Sequence, residues 1–314
     1  MSVGMEVSVV VCAYTLERKD VLFECVKSVL EQTYEPIEVV LVVDGNPDLA
    51  SVLDARFGER KNVRIIENDK NRGISYSRTK GAEEATGEIV AFIDDDGVAE
   101  PDWIETLVEV YEETDAIAAG GYVAPGWLHE KPSFFPAEFY WLVGCTEKGF
   151  AEDGEEVRNV YGSNISYRRE AFLEVGGYDV NTGRKGDRHI QAHEAPVGIR
   201  LQQQYGRGMI YVEDAVVHHK LFGYRGDFWW LVRRSFWQGF SKRVMDVLYP
   251  DSQGSERSFL RKVYLRYVPN RMRRAVLGPS LTEVQQISAI LIFTAMVALG
   301  YGYGMLKRDV LRET

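Results

Sequence analysis

Three adjacent carboxylates, Asp94, Asp95 and Asp96, are the residues of this 314-residue chain best suited to chemistry. They end the short apolar run of residues 89–93, which is typical of a strand buried on both faces of a parallel sheet. Adjacent carboxylates repel one another unless a cation lies among them, and Mg²⁺ and Mn²⁺ take oxygen ligands and often bridge to phosphates. The turn therefore has two interpretations, a divalent-cation site or a solvated acidic turn before a helix that begins at Pro101.

Polar side chains also end the other strands predicted in the first part of the chain. Apolar runs predict strands over residues 5–14, 37–43 and 63–66, separated by helices over 49–57, 74–85 and one capped by Asp20. This alternation predicts an α/β fold with a mostly parallel sheet flanked by helices. Ligands bind beyond the carboxyl ends of such strands, so we expect Tyr14, Asp44 and Asn68 with Asp69 to share one site with the three aspartates.

Several other classes of protein are disfavoured by the sequence. No G-x-G-x-x-G follows the first strand and no G-K-[ST] loop occurs, which counts against a dinucleotide dehydrogenase and a P-loop NTPase. Cys12, Cys25 and Cys145 lack C-x-x-C spacing, which favours a reducing compartment without structural zinc. We expect no signal peptide, because the N-terminal apolar run lacks a basic lead-in and a cleavage site.

The net charge of −10 is divided unevenly along the chain. Residues 1–219 carry 21 Lys/Arg and 40 Asp/Glu, a net charge of −19, whereas residues 220–314 carry 16 and 7, a net charge of +9. A nucleic-acid-binding protein normally carries its basic patch on the folded reading surface, so we expect no nucleic-acid partner. The division fits an acidic body in water and a basic tail near anionic lipid.

The middle of the chain continues the pattern of strands and helices. Helices are predicted over residues 101–113, 169–175 and 194–205, and strands over 116–123, 160–167, 209–212 and 215–217. Aromatic residues crowd 125–156, where a loop packed on the core is favoured over an acceptor surface. Residues 184–193 are polar and expected to be mobile. His218 and His219 follow the last strand.

The C-terminal part has the composition of a membrane-associated segment. Residues 228–240 are aromatic and basic, and residues 259–277 alternate basic and apolar side chains at helical spacing, as in helices of the membrane interface. Residues 287–306 then run for 20 residues without a charge, which is long enough to span a bilayer. A spanning helix, a re-entrant or surface-lying segment, and a hydrophobic hairpin packed on the body all remain open.

Six motifs in order resemble the family-2 glycosyltransferases with the GT-A fold, over about residues 6–220. They are Val-Val-Val-Cys-Ala-Tyr14, Val-Val-Asp44-Gly, Asn71-Arg-Gly-Ile-Ser-Tyr-Ser-Arg78, Gly87-Glu-Ile-Val-Ala-Phe-Ile-Asp94-Asp-Asp96, Gly162-Ser-Asn-Ile-Ser-Tyr-Arg-Arg169 and Gly176-Gly-Tyr-Asp179, with a late histidine after them. The resemblance implies an enzyme, a hexosyltransferase that moves a sugar from a nucleotide diphosphate with inversion at the anomeric carbon.

The resemblance also implies roles for individual residues. Donor-binding positions would be Ala13, Tyr14, Asp44, Arg72, Arg78, Asp94 and Asp95, with the Asp44 carboxylate accepting from a uracil N–H. Asp94 and Asp96 match the D-x-D motif, in which Asp96 would ligate Mg²⁺ or Mn²⁺ bridging the diphosphate. His219, or else His218, would complete the metal site.

The resemblance departs from the family pattern at the expected catalytic base. The family supplies it from a Glu-Asp pair six residues before an arginine, and this chain has Glu194 and Ala195 before Arg200. Glu194 is therefore the predicted general base, and Asp187 and His193 are the alternatives.

Within the family, the segment around Glu194 and the membrane-prone tail most resemble archaeal enzymes that extend dolichyl-phosphate glycans for N-glycosylation of S-layer glycoproteins. This resemblance implies a UDP-sugar donor (UDP-glucuronate as the best guess), a dolichyl-phosphate-linked acceptor, and a cell-membrane location with the catalytic domain on the cytoplasmic side. The alternatives are a polyprenyl-phosphate sugar synthase, a sugar nucleotidyltransferase, which the glycine-poor first loop disfavours, and a non-catalytic membrane scaffold.

The expected domain organisation follows from the resemblance and the composition. A catalytic domain covers residues 1–220, with a nucleotide-sugar half of about 1–123 and an acceptor half of about 124–220. A basic and aromatic membrane-interface region covers 221–280. A hydrophobic segment with a basic tail covers 281–314.

Overall fold

The computed structural model describes residues 4–180, 194–249, 260–278 and 280–307. The described chain forms one mixed sheet of nine strands in the order β3-β2-β1-β4-β8-β6-β9-β5, with β7 paired to β9. The strands are β1 Val7–Ala13, β2 Ile37–Asp44, β3 Val63–Asn68, β4 Ile89–Asp94, β5 Gly97–Ala99, β6 Ala118–Trp127, β7 Glu156–Val157, β8 Ile165–Arg168 and β9 Met209–Leu221. The predicted α/β class is confirmed.

The helices that flank and follow this sheet lie close to their predicted ranges. They are α1 Lys19–Leu30, α2 Pro47–Phe57, α3 Ile74–Glu84, α4 Trp103–Glu113, α5 Arg169–Glu174, α6 Glu194–Tyr205, α7 Phe228–Leu248, α8 Val268–Leu277 and α9 Leu281–Leu306. Strands β3, β2, β1 and β4 are parallel, and β8 pairs antiparallel with β4. The parallel half is therefore the part that precedes the three aspartates.

The central strands are buried on both faces, as their continuous apolar sequences predict. Val9 and Val11 of β1 pack in the core that contains residues of α1 and α4. On the opposite face, the Phe92 ring of β4 contacts the rings of Tyr167, Phe172 and Tyr178, with centroids 6.0, 5.4 and 5.5 Å away. Each fully buried side chain of this size contributes about 1.5–3 kcal/mol of burial free energy, so both layers hold β4 firmly.

Several predicted element boundaries are corrected by the structure. Residues 209–212 and 215–217 belong to one strand, β9, which continues through both histidines. The exposed residues Glu213 and Asp214 lie within this strand, and the N–H of Glu213 donates to Asp153 Oδ1 at 2.9 Å. Helix α1 has no side-chain cap, and Asp20 lies in its first turn. Helix α4 begins at Trp103, after Pro101.

The chain divides into two compact units. The first comprises Met1–Gly126, Ala151–Asp187 and His193–Lys220, and the second comprises Trp127–Phe150, Arg188–Ala192 and Leu221–Thr314. The first unit contains the sheet and its flanking helices. The second unit contains α7, α8, α9 and the 3₁₀ segment Ala137–Val143.

A buried ion-pair cluster holds the second unit together. Arg271 of α8 donates to Glu138 Oε2 at 2.7 Å and to Glu283 Oε2 at 3.1 Å, and Glu138 is almost completely buried. Removing one member would leave a buried charge without its partner, which is strongly destabilising in proteins. The cluster therefore fixes the 3₁₀ segment and the start of α9 against α8.

Candidate active site

The three aspartates at the end of β4 face different partners, because the chain turns sharply between β4 and β5. Asp94 Oδ1 accepts from Arg78 Nη2 at 2.6 Å. Asp95 and Asp96 both lie beside Arg18, with Nη2 3.3 Å from Asp95 Oδ2 and Nη1 3.2 Å from Asp96 Oδ2. Arg18 thus partly balances the charge of the acidic turn, and the turn is not merely a solvated helix start.

The second half of the acidic turn meets a histidine from a distant part of the sequence. Strand β5 pairs with β9 so that Gly97 lies opposite His219, and His219 Nε2 is 3.1 Å from Asp96 Oδ1. Both side chains are buried. His218 lies beside Glu100 instead, with Nε2 2.6 Å from Glu100 Oε1, and those side chains are 43% and 45% exposed. Of the two histidines considered, only His219 reaches the aspartates.

The side chains of Asp96 and His219 fit a divalent cation whose remaining ligands come from a substrate. Within the described residues, no group of three or more His, Cys, Asp and Glu side chains is arranged to hold a metal on its own. Asp96 and His219 offer one oxygen and one nitrogen, and Mg²⁺ commonly takes one or two carboxylates plus substrate phosphates. The Arg18 guanidinium lies beside Asp95 and Asp96, so these two carboxylates already stabilise a positive charge.

Arg78 joins the acidic turn to the predicted base. Its side chain is only 3% exposed, donates to Gly162 O at 2.8 Å as well as to Asp94, and has Nη1 3.9 Å from Glu194 Oε1. Burial lowers the pKa of Arg78, but Asp94, Tyr178 and Glu194 outweigh it and leave that pKa raised. The guanidinium therefore stays charged and holds the two carboxylates on one site.

Glu194 is the first residue of α6, and its carboxylate lies over Gly162. A Cβ on Gly162 would collide with Glu194 Oε1 and lie 2.5 Å from Arg78 Nη1. Ala195, which stands where the family has an acid, is buried. The two alternative bases, Asp187 and His193, lie outside the described residues.

Asp44 is engaged by the turn that precedes α3. Its Oδ1 accepts from the Arg72 N–H at 2.8 Å and from Asn68 Nδ2 at 2.9 Å, and its Oδ2 accepts from the Gly73 N–H at 2.8 Å. A carboxylate has about four acceptor positions, so one remains for a ligand N–H. Asp44 thus shapes this edge of the sheet, and its contact with a nucleobase stays a prediction.

The other predicted donor-binding residues lie at the same sheet edge with different exposures. Ala13 is buried, whereas Tyr14 is 54% exposed. The Tyr14 carbonyl accepts from Asn46 Nδ2 at 3.0 Å, and Arg18 lies 5.8 Å from the Tyr14 ring centroid. The guanidinium of Arg72 lies 4.1 Å from the Tyr76 ring centroid. Tyr14 therefore offers an open aromatic surface next to the acidic turn.

Sequence reasoning missed two residues that organise the site. Arg18, in the loop after β1, is 78 positions before Asp96 in the sequence, so no local pattern pointed to their contact. Asn164 is completely buried, accepts from Trp103 Nε1 at 2.8 Å and donates to the carbonyls of Ala215 and Tyr122. It ties β9, and with it His219, to α4 and β6.

The structure thus brings together a parallel sheet edge with acidic tips, a buried pair of Asp96 and His219, and the Glu194 carboxylate near Arg78. The sequence matches the model of Glycosyl transferase family 2 over residues 8–176, and the chain belongs to this family. It is therefore a glycosyltransferase, as the sequence predicts.

Among characterised relatives, the glucosyl-dolichyl phosphate glucuronosyltransferase of Haloferax volcanii is 58% identical over 311 residues, covering 99% of both chains. The mannosyltransferase PcManGT from Pyrobaculum calidifontis, in complex with GDP-Man and Mn²⁺, has a TM-score of 0.60 at 17% identity, covering 98% of this chain and 89% of that one. S. aureus TarS 1–349 in complex with UDP-GlcNAc has a TM-score of 0.54 at 15% identity, covering 94% and 84%. The predicted GT-A fold is confirmed.

Substitution of Gly162 by alanine is expected to impair sugar transfer more than stability. The new methyl group displaces the ends of two flexible side chains, Glu194 and Arg78, rather than backbone. Misplacing a catalytic group by about 1 Å can cost about 100-fold in rate, so we expect a fall in kcat approaching that size. Gly278→Ala is the control, because the nearest atom to its Cβ is 3.9 Å away. Equal kcat values for both variants would contradict the placement of Glu194.

Proposed function

We propose that this chain transfers glucuronate from UDP-glucuronate to glucose carried on dolichyl phosphate, with inversion, during assembly of an N-linked glycan. The observation that carries the proposal is the 58% identity, over almost the full length of both chains, to an enzyme named for this reaction. The likeness extends over the C-terminal helices as well as the catalytic core, which supports a shared lipid-linked acceptor.

The proposal gives each of the site residues a role. Asp44, with Ala13, Tyr14 and Arg72, binds the base and ribose at the edge of the parallel strands. Asp94 and Asp95 contact the ribose and diphosphate side of the donor. Asp96 and His219 would hold a divalent cation, Mg²⁺ or Mn²⁺. When bound, the cation supplies Lewis-acid stabilisation of the leaving diphosphate.

Glu194 acts as the general base of the transfer. Its carboxylate takes the proton of the acceptor hydroxyl, the hydroxyl oxygen forms a bond to the anomeric carbon, and the bond from that carbon to the diphosphate breaks on the opposite face. Arg78 holds the Glu194 carboxylate beside the donor, as its 3.9 Å approach supports. UDP is the second product.

The cellular arrangement is part of the same proposal. The catalytic domain of residues 1–220 works on the cytoplasmic side of the cell membrane, where nucleotide sugars are made. The regions 221–280 and 281–314 keep it at the lipid-linked acceptor. Helix α9 is long and apolar enough to cross a membrane, which supports membrane association.

The test incubates the full-length protein with a panel of UDP-sugars and with dolichyl phosphate or dolichyl phosphate glucose, and identifies the lipid product by mass spectrometry. We expect a single glucuronate added to dolichyl phosphate glucose only. Transfer to free dolichyl phosphate would favour a synthase that attaches the first sugar. Absence of any transfer across the panel, with Mg²⁺ or Mn²⁺ present, would overturn the proposal.

A further inference from the structure

We propose that α7, α8 and α9 lie in the plane of one membrane leaflet and that α9 does not cross the bilayer. The inference rests on the membrane association in the proposed function and extends it to a topology. Length and apolarity alone qualify α9 as a spanning helix. The way α9 packs inside the second unit leads to the opposite conclusion.

The middle of α9 packs tightly against α7. Val297 lies at the centre of the uncharged run, and its backbone is so close to Gly239 that a Cβ there would collide with it. A Cβ on Gly300 would likewise collide with the carbonyl of Phe236. These two glycine contacts fix α7 beside the part of α9 that a spanning orientation would bury at the bilayer centre.

Charged side chains of α7 lie between this level and the C-terminal end of α9. Lys242 and Arg243 follow Gly239 by three and four residues, about 4.5–6 Å along the helix. The side chain of Arg243 packs against Gly304 of α9. The Tyr301 hydroxyl of α9 donates to Asp246 Oδ2 of α7 at 2.5 Å. A spanning α9 would carry these charges into the hydrocarbon, where charged side chains are rare and costly.

The opposite side of α9 is apolar and uncovered. Leu291, Leu299 and Leu306 are 49%, 60% and 83% exposed, and their spacing of seven or eight residues puts them on one stripe. The buried residues Phe293, Gly300 and Gly304 form the other stripe, facing α7. An exposed stripe of this length requires an apolar environment on one side only, which is the environment of an interfacial helix.

Helix α8 and the π-helical turn before it, Val263–Tyr267, also expose apolar side chains, and unlike α9 they expose basic side chains beside them. Leu265, Met272 and Val276 are 69%, 56% and 80% exposed, and the neighbouring Arg266 and Arg273 are exposed as well. Basic side chains beside exposed apolar ones match the headgroup level of a membrane that contains anionic lipid. The partner of this surface is therefore a membrane leaflet that contains anionic lipid. The exposed apolar side chains insert among its acyl chains.

Cysteine labelling of the full-length protein in sealed membrane vesicles tests the topology. Thr282→Cys and Lys307→Cys place thiols at the two ends of α9. Glu59→Cys, at an exposed position of the first unit, reports the side of the membrane on which the catalytic unit lies. The native cysteines Cys12, Cys25 and Cys145 are buried, so their background reaction with an impermeant maleimide is low. We expect all three introduced cysteines to react from the same side. Reaction of Thr282→Cys and Lys307→Cys from opposite sides would overturn the inference.

Vesicle flotation tests the partner. The purified full-length protein is expected to bind phosphatidylglycerol vesicles at least about tenfold more tightly than phosphatidylcholine vesicles, because several basic side chains meet the surface. Equal binding, or none, would overturn the assignment of an anionic leaflet. Sugar transfer is measured on the same preparations. Loss of transfer with same-side labelling would count against the proposed function and leave the topology standing.

Discussion

Asp96→Asn is expected to reduce the rate of glucuronate transfer by about 100- to 1,000-fold, the usual effect of removing one charge-stabilising group from an active site. The asparagine keeps the size of the side chain but removes the negative charge that faces His219 and Arg18. The measurement is initial rate against Mn²⁺ concentration, together with Mn²⁺ binding followed by the EPR signal of the free ion. In the presence of UDP, we expect Asp96→Asn to bind Mn²⁺ more weakly than the native protein does.

The two histidines provide a matched control for this result. His219→Gln should weaken Mn²⁺ binding as well, whereas His218→Gln should leave both binding and rate near the native values, because His218 pairs with Glu100 at a half-buried position away from Asp96. Asp102→Asn, at the N-cap of α4 and without a side-chain cap bond, controls for the loss of one negative charge near the turn. Unchanged Mn²⁺ binding and transfer by Asp96→Asn would refute the assignment of the D-x-D motif.

Glu194→Gln is expected to lower kcat by about 100- to 10,000-fold, the usual contribution of a general base. Glutamine has the same shape and fits over Gly162, but it cannot take the acceptor proton. Binding of the donor should change little, because the charged Arg78 still holds Asp94 at 2.6 Å. Rapid measurement of a single turnover with dolichyl phosphate glucose, alongside UDP-glucuronate binding by calorimetry, separates the two effects.

The controls for Glu194→Gln address the missing acid at position 195. Glu170→Gln, in the first turn of α5, tests whether loss of any helix-start glutamate has the same effect. Asp187→Asn and His193→Gln test the two alternative bases. Near-native turnover of Glu194→Gln, combined with inactivity of Asp187→Asn or His193→Gln, would show that Glu194 is not the general base.

The sequence was informative where function depends on single strands. Continuous apolar runs ended by Asp44 or Asp94 predicted both the parallel strands and the edge at which their polar ends meet, because strands buried on both faces of a parallel sheet are mostly apolar. The family motifs then added the separate roles of Asp94 and Asp96. Those roles stay predictions; in the structure the Asp94 carboxylate faces Arg78, and the Asp96 carboxylate faces Arg18 and His219.

The sequence was less informative where function depends on distant segments coming together. The ion pairs of Arg18, the collision that forbids a side chain at Gly162, and the bonds of Asn164 join parts of the chain that no local period relates. Arg78 illustrates the limit most clearly. Its predicted role at the nucleotide stays a prediction, and the sequence did not indicate its hydrogen bonds to Asp94 and to the carbonyl of Gly162.

The pairing of β5 with β9 decides which histidine belongs to the site. Side chains alternate between the two faces of a strand, so a slip of β9 by one residue would turn His219 away and bring His218 toward Asp96. Gly97 opposite His219 and Ala99 opposite Val217 fix the present alignment. A single-residue insertion or deletion in β9 would thus exchange two neighbouring histidines without altering either, and a short stretch of backbone hydrogen bonds selects the histidine that lies beside Asp96.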